Sequence, residues 1–129
     1  MFTLHKSDNS SMQPWEYIPA AAGEYKAGQL LEMAAGRAAA ITADLDETPP
    51  YLCMSDMKIE TAGELLPAVR VSKGYIYETA LSEDVATAAV GGKLQVSAGG
   101  LLASEGAGTF EIVELEGKEE GDAVRGRFA

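Results

Sequence analysis

The segment Lys26–Ile41, KAGQLLEMAAGRAAAI, decides the fold class of this chain. Its alanines and leucines favour an α-helix by propensity, but glycine interrupts it at Gly28 and Gly36. Gly36 lies between two short apolar runs, which is where a β-hairpin would have its turn. The segment taken alone fits either structure, so the rest of the chain has to discriminate between them.

A second segment of the chain resembles the first. Residues 28–39, GQLLEMAAGRAA, laid over residues 92–103, GKLQVSAGGLLA, give five identities in twelve positions. The second copy is less ambiguous, because KLQVS has the pattern of a strand and AGG that of a turn. By analogy, the first copy is predicted to be a hairpin with strands at Gln29–Met33 and Arg37–Thr42 and a turn at Gly36.

The similarity continues further along both copies, with gaps. YLCMSDMKIETAGELLPAVRVS, from Tyr51, resembles FEIVELEGKEEGDAVRGRF, from Phe110. Each segment has a strand pattern, a charged link, a glycine and then Ala-Val-Arg. Two related β units are the simplest explanation of this order.

Short strand patterns, rich in β-branched and aromatic residues, fill the chain from Tyr51 onward. They are YLCM, AVRVS, YIYET, KLQVS, TFEIVEL and AVRGRF. In YIYET, Tyr75, Tyr77 and Thr79 share one face of the strand. The segment 83–89 is a candidate helix, because Ser82 suits its N-cap and Gly91 its end. The prediction is a mainly β fold, a small β-barrel or sandwich of two related β units, with at most one short helix near 83–89.

Residues 1–23 are polar and serine-rich, and Pro14 and Pro19 disfavour a helix there. They are predicted to form an extended, flexible arm, followed by a single β-rich domain at 24–129. Apolar side chains are scattered along this segment, and they either pack on their own domain or contact a partner. The candidate partner-binding residues are Phe2, Leu4, Trp15, Tyr17 and Ile18.

The composition narrows the classes of function. A chain of 129 residues is long enough for one domain, and its net charge of −10 repels nucleic acid. Cys53 has no partner for an internal disulfide, and with His5 as the one histidine a Cys/His zinc site is not expected. The sequence has no apolar run of signal-peptide or membrane-spanning length, so we expect a protein made and kept in the cytoplasm, without a membrane partner.

Few residues have the types and spacing that a reaction needs. Asp44, Asp46 and Glu47, or Glu119, Glu120 and Asp122, are candidate calcium ligands, but they lack EF-hand spacing and solvated acidic turns are the simpler interpretation. Cys53 lies in an apolar strand, which favours an inert thiol. The chain is therefore predicted not to be an enzyme and to use no cofactor or metal.

One motif suggests an alternative function. Met57-Lys58-Ile59-Glu60 resembles the turn in which biotinyl and lipoyl carrier domains, which are all-β proteins with two similar halves, present their modified lysine. Asp56 stands where those domains usually have alanine, and Gly28-Gln29 lies much further upstream than their Gly-Gln segment. The alternative remains a carrier domain modified at Lys58, against an exposed lysine in a charged loop.

The order of these segments resembles the small β-rich capsid decoration, or head-stabilising, proteins of tailed phages and prophages. The resemblance covers most of residues 24–129. It is carried by the N-terminal arm together with AGQLLEMAAGRAAAI, TAGELLPAVRVSKGYIYETAL, GGKLQVSAGGLLA and FEIVELEGKEEGDAVRGRF.

The resemblance implies a non-enzymatic virion protein on the outside of the assembled head. Such proteins bind where major capsid subunits meet, often as trimers, and brace the shell against packaged DNA. It implies the major capsid protein as partner, a homo-oligomer, and a location on the capsid surface after synthesis in the bacterial cytoplasm. A head fibre or a tail component is a further alternative within the virion.

Overall fold

The structure, a computed structural model, describes residues 1–7 and 14–129. Its described residues form thirteen β-strands and no helix, which confirms the mainly β prediction. The strands are β1 Thr3–Ser7, β2 Glu16–Pro19, β3 Gly23–Tyr25, β4 Leu30–Ala34, β5 Arg37–Ala40, β6 Tyr51–Cys53, β7 Met57–Ile59, β8 Leu65–Arg70, β9 Tyr75–Ala80, β10 Lys93–Val96, β11 Ala103–Ser104, β12 Phe110–Leu115 and β13 Ala123–Phe128. All six strand patterns from Tyr51 onward lie within or overlap these strands.

The strands pair into three antiparallel sheets. One sheet has the order β2-β8-β6-β4-β5, a second has the order β1-β9-β13-β12-β10-β11, and β3 pairs with β7. In each large sheet one parallel bridge joins two strands that are not neighbours in the sheet order: Ala20, just after β2, to Ala38 of β5, and Leu81, just after β9, to Ala103 of β11. The sheets curl but form no closed barrel, and the fold is sandwich-like.

The segment Lys26–Ile41 is a β-hairpin and not a helix. Leu31 pairs with Ala40 and Ala34 with Arg37, so Ala35 and Gly36 form a two-residue turn. Both turn residues have positive φ, 52° and 76°, as a type I′ turn requires. The predicted hairpin is confirmed, and of its alanines Ala38 is fully buried.

The two β units have the same strand order. Unit 1, residues 16–70, and unit 2, residues 75–128, correspond strand for strand: β2 to β9, β4 to β10, β5 to β11, β6 to β12 and β8 to β13. Their turns also agree, because Gly63 donates a hydrogen bond to the carbonyl of Ala20 and Gly121 to that of Leu81, both at 2.9 Å. The structure thus contains two copies of one supersecondary unit.

The repeat is present, but the residues that correspond in the structure are not the ones that were matched in the sequence. Leu31 pairs with Tyr51 and Leu94 pairs with Phe110, so the counterpart of Leu94 is Leu31 and not Leu30. The cause is the turn between β10 and β11, which is longer than the turn between β4 and β5. The ungapped alignment treated the two turns as equal in length. The Ala-Val-Arg match is also coincidental, because the counterpart of Arg70 is Phe128, the partner of Phe110.

The described residues form two hydrophobic clusters. The smaller cluster is the interior of unit 1 with β3 and β7, and it includes Tyr25, Leu31 and Ile59. The larger cluster holds the interior of unit 2 together with outward-facing residues of unit 1, among them Leu52 and Val69. Because the second cluster takes side chains from both units, the two units are packed as one body.

The predicted arm does not stand apart from the domain. β1 pairs with β9, and β2 is a strand of the first sheet. Phe2 is buried and contacts the ring of Phe110 edge-on, with 5.5 Å between the ring centroids. Strand pairing and the aromatic core thus hold the N-terminal segment to the rest of the domain. The predicted boundary at residue 24 therefore does not separate two parts of the structure. Residues 8–13 of the predicted arm lie outside the described residues.

The candidate helix near 83–89 does not form, which agrees with the prediction of at most one short helix. Residues 83–89 make a turn in which Ala88 donates to the carbonyl of Val85 at 3.1 Å. The acidic side chains instead accept bonds from other loops, Glu83 from the Glu105 amide and Asp84 from the Glu120 amide. Val85 and Ala88 are buried in the larger cluster, so tertiary contacts override the local capping pattern.

Candidate partner-binding surface

An exposed apolar strip lies on the outer face of β2 and β8. Tyr17 stands opposite Pro67 and Pro19 opposite Leu65 in the strand register, so these side chains share one face. The side chains of Trp15, Tyr17 and Leu65 are 47%, 63% and 54% exposed. We call Trp15, Tyr17, Leu65 and Pro67 the outer strip.

The alternation of side chains along the two strands produces the outer strip. Ile18 and Leu66, whose neighbours belong to the strip, point to the other face of the sheet and are buried in the smaller cluster. The strip side chains therefore face away from the core of their own unit. They are large apolar groups in water, which marks a surface for interaction.

An apolar cleft of about 220 Å³ lies beside the outer strip. Leu4, Met54, Val69 and Tyr75 are among the residues that line it. Val69 follows Pro67 by two residues on the same face of β8, and the Met54 amide donates to the Pro67 carbonyl at 3.0 Å. The cleft and the strip thus form one continuous apolar region around β8.

The five residues predicted to bind a partner divide into two groups. Leu4, Trp15 and Tyr17 are exposed, and the last two lie in the outer strip. Phe2 and Ile18 are buried, one in each hydrophobic cluster. Phe2 and Ile18 therefore hold the N-terminal strands to the domain and are not available to a partner, which corrects the prediction for these two residues.

Sequence reasoning missed Leu65, Pro67 and Met54 as members of the apolar region. Leu65-Leu66 is an apolar pair in which one side chain faces solvent and the other the core. Strand periodicity predicts that neighbours alternate, but it cannot tell which of two adjacent leucines is inside. Pairing of Leu65 with Pro19 on β2 settles the choice.

The outer face of the second sheet is charged where that of the first is apolar. The Arg125 guanidinium donates to the Glu78 carboxylate at 2.9 Å and forms ion pairs with Glu114 and Glu116 at 3.0 and 3.3 Å. The hydrogen bond to Glu78 raises the pKa of Arg125. His5 lies 3.8 Å from Glu78 in the same cluster. These paired charges make the outer face of the second sheet suited to contact with solvent.

Two of the acidic residues considered as calcium ligands, Asp44 and Asp122, brace turns. Asp44 accepts from the Ala98 amide at 2.9 Å and from the Gln95 side chain at 3.0 Å, and Asp122 accepts from the Glu119 amide at 3.0 Å. In residues 1–7 and 14–129, no three His, Cys, Asp or Glu side chains converge as metal ligands. Asp44 and Asp122 therefore have structural partners.

Cys53 and Lys58 occupy ordinary strand positions. Cys53 is fully buried, and burial raises the pKa of its thiol, so the group stays protonated at neutral pH. Lys58 lies in the middle of β7 and pairs with Glu24 of β3. A carrier domain presents its lysine in a turn, and the structure gives Lys58 no such turn.

Comparison of the sequence with protein-family models and with curated proteins found no match. No helix able to cross a lipid bilayer occurs in the part of the chain that the structure describes.

Proposed function

We propose that this protein is a non-enzymatic phage virion protein that binds the outside of the capsid and stabilises the head lattice. The outer strip is the observation that carries the proposal, together with the sequence resemblance to capsid decoration proteins. Trp15, Tyr17 and Leu65 offer a capsid protein large apolar groups. Tyr17 and Leu65 lie on paired strands, with Trp15 directly before β2, so they lose little conformational freedom on binding.

The scaffold and the charge support the same function. Both units contribute to the larger hydrophobic cluster. A mechanical force on one unit is therefore transmitted to the other through the shared core. The net charge of −10 disfavours contact with packaged DNA. Weak contacts of single copies add up when many copies bind one lattice. Major capsid protein is the proposed partner, and a homo-oligomer such as a trimer would place several outer strips at one lattice point.

The test is binding to heads that lack this protein. Heads assembled without it, from the phage or prophage that carries the gene, are mixed with the purified chain over a concentration series and sedimented. Saturable, stoichiometric cosedimentation is expected, together with a higher temperature of head disruption. Heads already carrying the protein are the control and should take up none. Protein that stays in solution at every concentration would contradict the proposal, and selective binding to tails or fibres would assign it to another part of the virion.

A further inference from the structure

The repeat supplies an internal comparison for the outer strip. The strand pairings give each outward position in unit 1 a counterpart in unit 2. Tyr17 corresponds to Glu78, because their pairing partners Pro67 and Arg125 occupy the same position in the two units. The same fold therefore has a Tyr–Pro pair in one copy and a Glu–Arg ion pair in the other.

The two outer faces differ systematically in polarity. Unit 2 has charged residues at outward positions, including Glu111 and Arg127, whose counterparts in unit 1 are Leu52 and Val69. Leu52 and Val69 are apolar because they are buried against unit 2, at 4% and 8% exposure. Tyr17 and Leu65 continue this interface outward, but no described residue covers them. The apolar face is larger than the contact between the units requires.

The two units also differ at one strand edge. In unit 2, residues 75–78 of β9 pair with the added strand β1, with Thr3 opposite Glu78. The counterpart edge in unit 1, at residues 14–17, pairs with no strand among the described residues. Among the described residues, only one of two equivalent edges is therefore extended by a further strand.

Backbone geometry shows that the edge at Tyr17 is able to receive a strand. Pro67 has no N–H, and its carbonyl accepts from Met54, so the Tyr17–Pro67 pair exchanges no ladder hydrogen bond. The N–H and C=O of Tyr17 consequently point away from β8, towards the open edge. Pro14 and Pro19 flank this position, and they limit the open edge to a few residues.

We infer that the edge of β2 at residues 14–17 accepts an extended antiparallel segment of the capsid partner, whose apolar side chains cover Tyr17 and Leu65. This inference rests on the proposed function. β1 is the template for the occupant, since MFTLHKS pairs with the equivalent edge, contains His5 and Lys6 and has no acidic residue. The net charge of −10 favours such a neutral or basic segment over a second copy of this chain.

The decisive variant places the ion pair of unit 2 at the counterpart positions of unit 1. Tyr17→Glu combined with Pro67→Arg reproduces the Glu78–Arg125 pair at the counterpart positions. Because both sites face solvent, the double variant should fold with a thermal midpoint close to that of the parent. Its affinity for undecorated heads should fall by roughly tenfold or more. Val90→Glu is the matched control, since Val90 is also exposed, at 68%, but lies far along the chain in a loop. It should bind like the parent.

Hydrogen exchange of the parent provides the second measurement. On heads, the backbone amides of residues 15–18 should exchange several-fold more slowly than in free protein, with no comparable change at the loop that contains Val90. Head binding by the double variant that equals the parent's, or unchanged exchange at residues 15–18 in bound parent, overturns the inference and leaves the proposed function standing. A parent that does not bind heads overturns both. If the double variant fails to fold, the exchange measurement alone decides.

Discussion

Ala35 has a left-handed backbone conformation at the turn of the first hairpin, with a φ of 52°. It is the only non-glycine residue with a positive φ in the described part of the chain. Alanine resists this conformation by about 1 kcal/mol, because its Cβ approaches the following carbonyl. The turn forms nevertheless, since Gly36 and the pairing of β4 with β5 impose it.

Replacing Ala35 should therefore stabilise the protein. Ala35→Asn gives the Asn-Gly sequence that two-residue type I′ turns prefer, and the free energy of unfolding should rise by roughly 0.5–1 kcal/mol. Urea unfolding measures the change. Ala34→Asn is the control, because Ala34 is also exposed but lies in β4, where asparagine is unfavourable. A loss of stability in Ala35→Asn, or an equal gain in both variants, would contradict the turn assignment.

At the scale of elements, the two hairpins use similar glycines in different surroundings. Gly36 and Gly100 have nearly the same φ, 76° and 74°. A Cβ on Gly36 would meet nothing within 4 Å, whereas a Cβ on Gly100 would overlap the carbonyl oxygen of Leu30. The loop of the second hairpin is docked on unit 1, where Leu30 donates to the Gly100 carbonyl at 2.7 Å. The first hairpin turn is open to solvent.

Alanine at these two glycines should separate backbone strain from steric overlap. Gly36→Ala should lower the free energy of unfolding by about 1 kcal/mol, the strain of the left-handed conformation. Gly100→Ala adds a backbone collision and should lower it by a further 1–3 kcal/mol or so. Chemical denaturation of both variants gives the comparison. Equal losses would show that the loop of unit 2 is not docked on β4 as described.

At the scale of the whole molecule, one sheet has two apolar faces. The inner face of unit 1 packs against β3 and β7, and the outer face packs partly against unit 2. The outer face of unit 2 needs no cover, because charged residues occupy it. The asymmetry between two copies of one fold thus defines both the contact between the units and the outer strip.

Charging the covered part of this face should disrupt the domain. Leu52→Glu places at Leu52 the residue type of its counterpart Glu111, but in a position that is buried against unit 2. The unpaired carboxylate should lower the free energy of unfolding by about 4 kcal/mol or more. Thermal unfolding followed by circular dichroism tests this, with Tyr17→Glu as the exposed control. A variant as stable as the parent would contradict the burial of this face between the units.

The sequence by itself determined the all-β class and the hairpin at Lys26–Ile41, and it indicated two related units, although the residue matches that suggested them were displaced. These follow from turn residues, strand patterns and internal similarity, which are local properties or comparisons along the chain. Two of the five candidate binding residues, Trp15 and Tyr17, lie in the outer strip, and Leu4 lines the neighbouring cleft. The sequence could not separate these from Phe2 and Ile18, because apolar side chains in a polar segment look alike until their neighbours are known.

Only the tertiary structure decided the register of the repeat, the incorporation of the N-terminal strands and the direction in which each side chain points. A shift of one residue along a strand moves a side chain to the other face, so Leu30 and Leu31 are indistinguishable in sequence but belong to different clusters. The alternation of side chains along a strand does not reveal which face is buried when both faces carry apolar residues, as in β8. The physical reason is that burial is set by strands distant in the chain. β9 and the aromatic core hold β1, and unit 2 covers one part of the face that carries the outer strip.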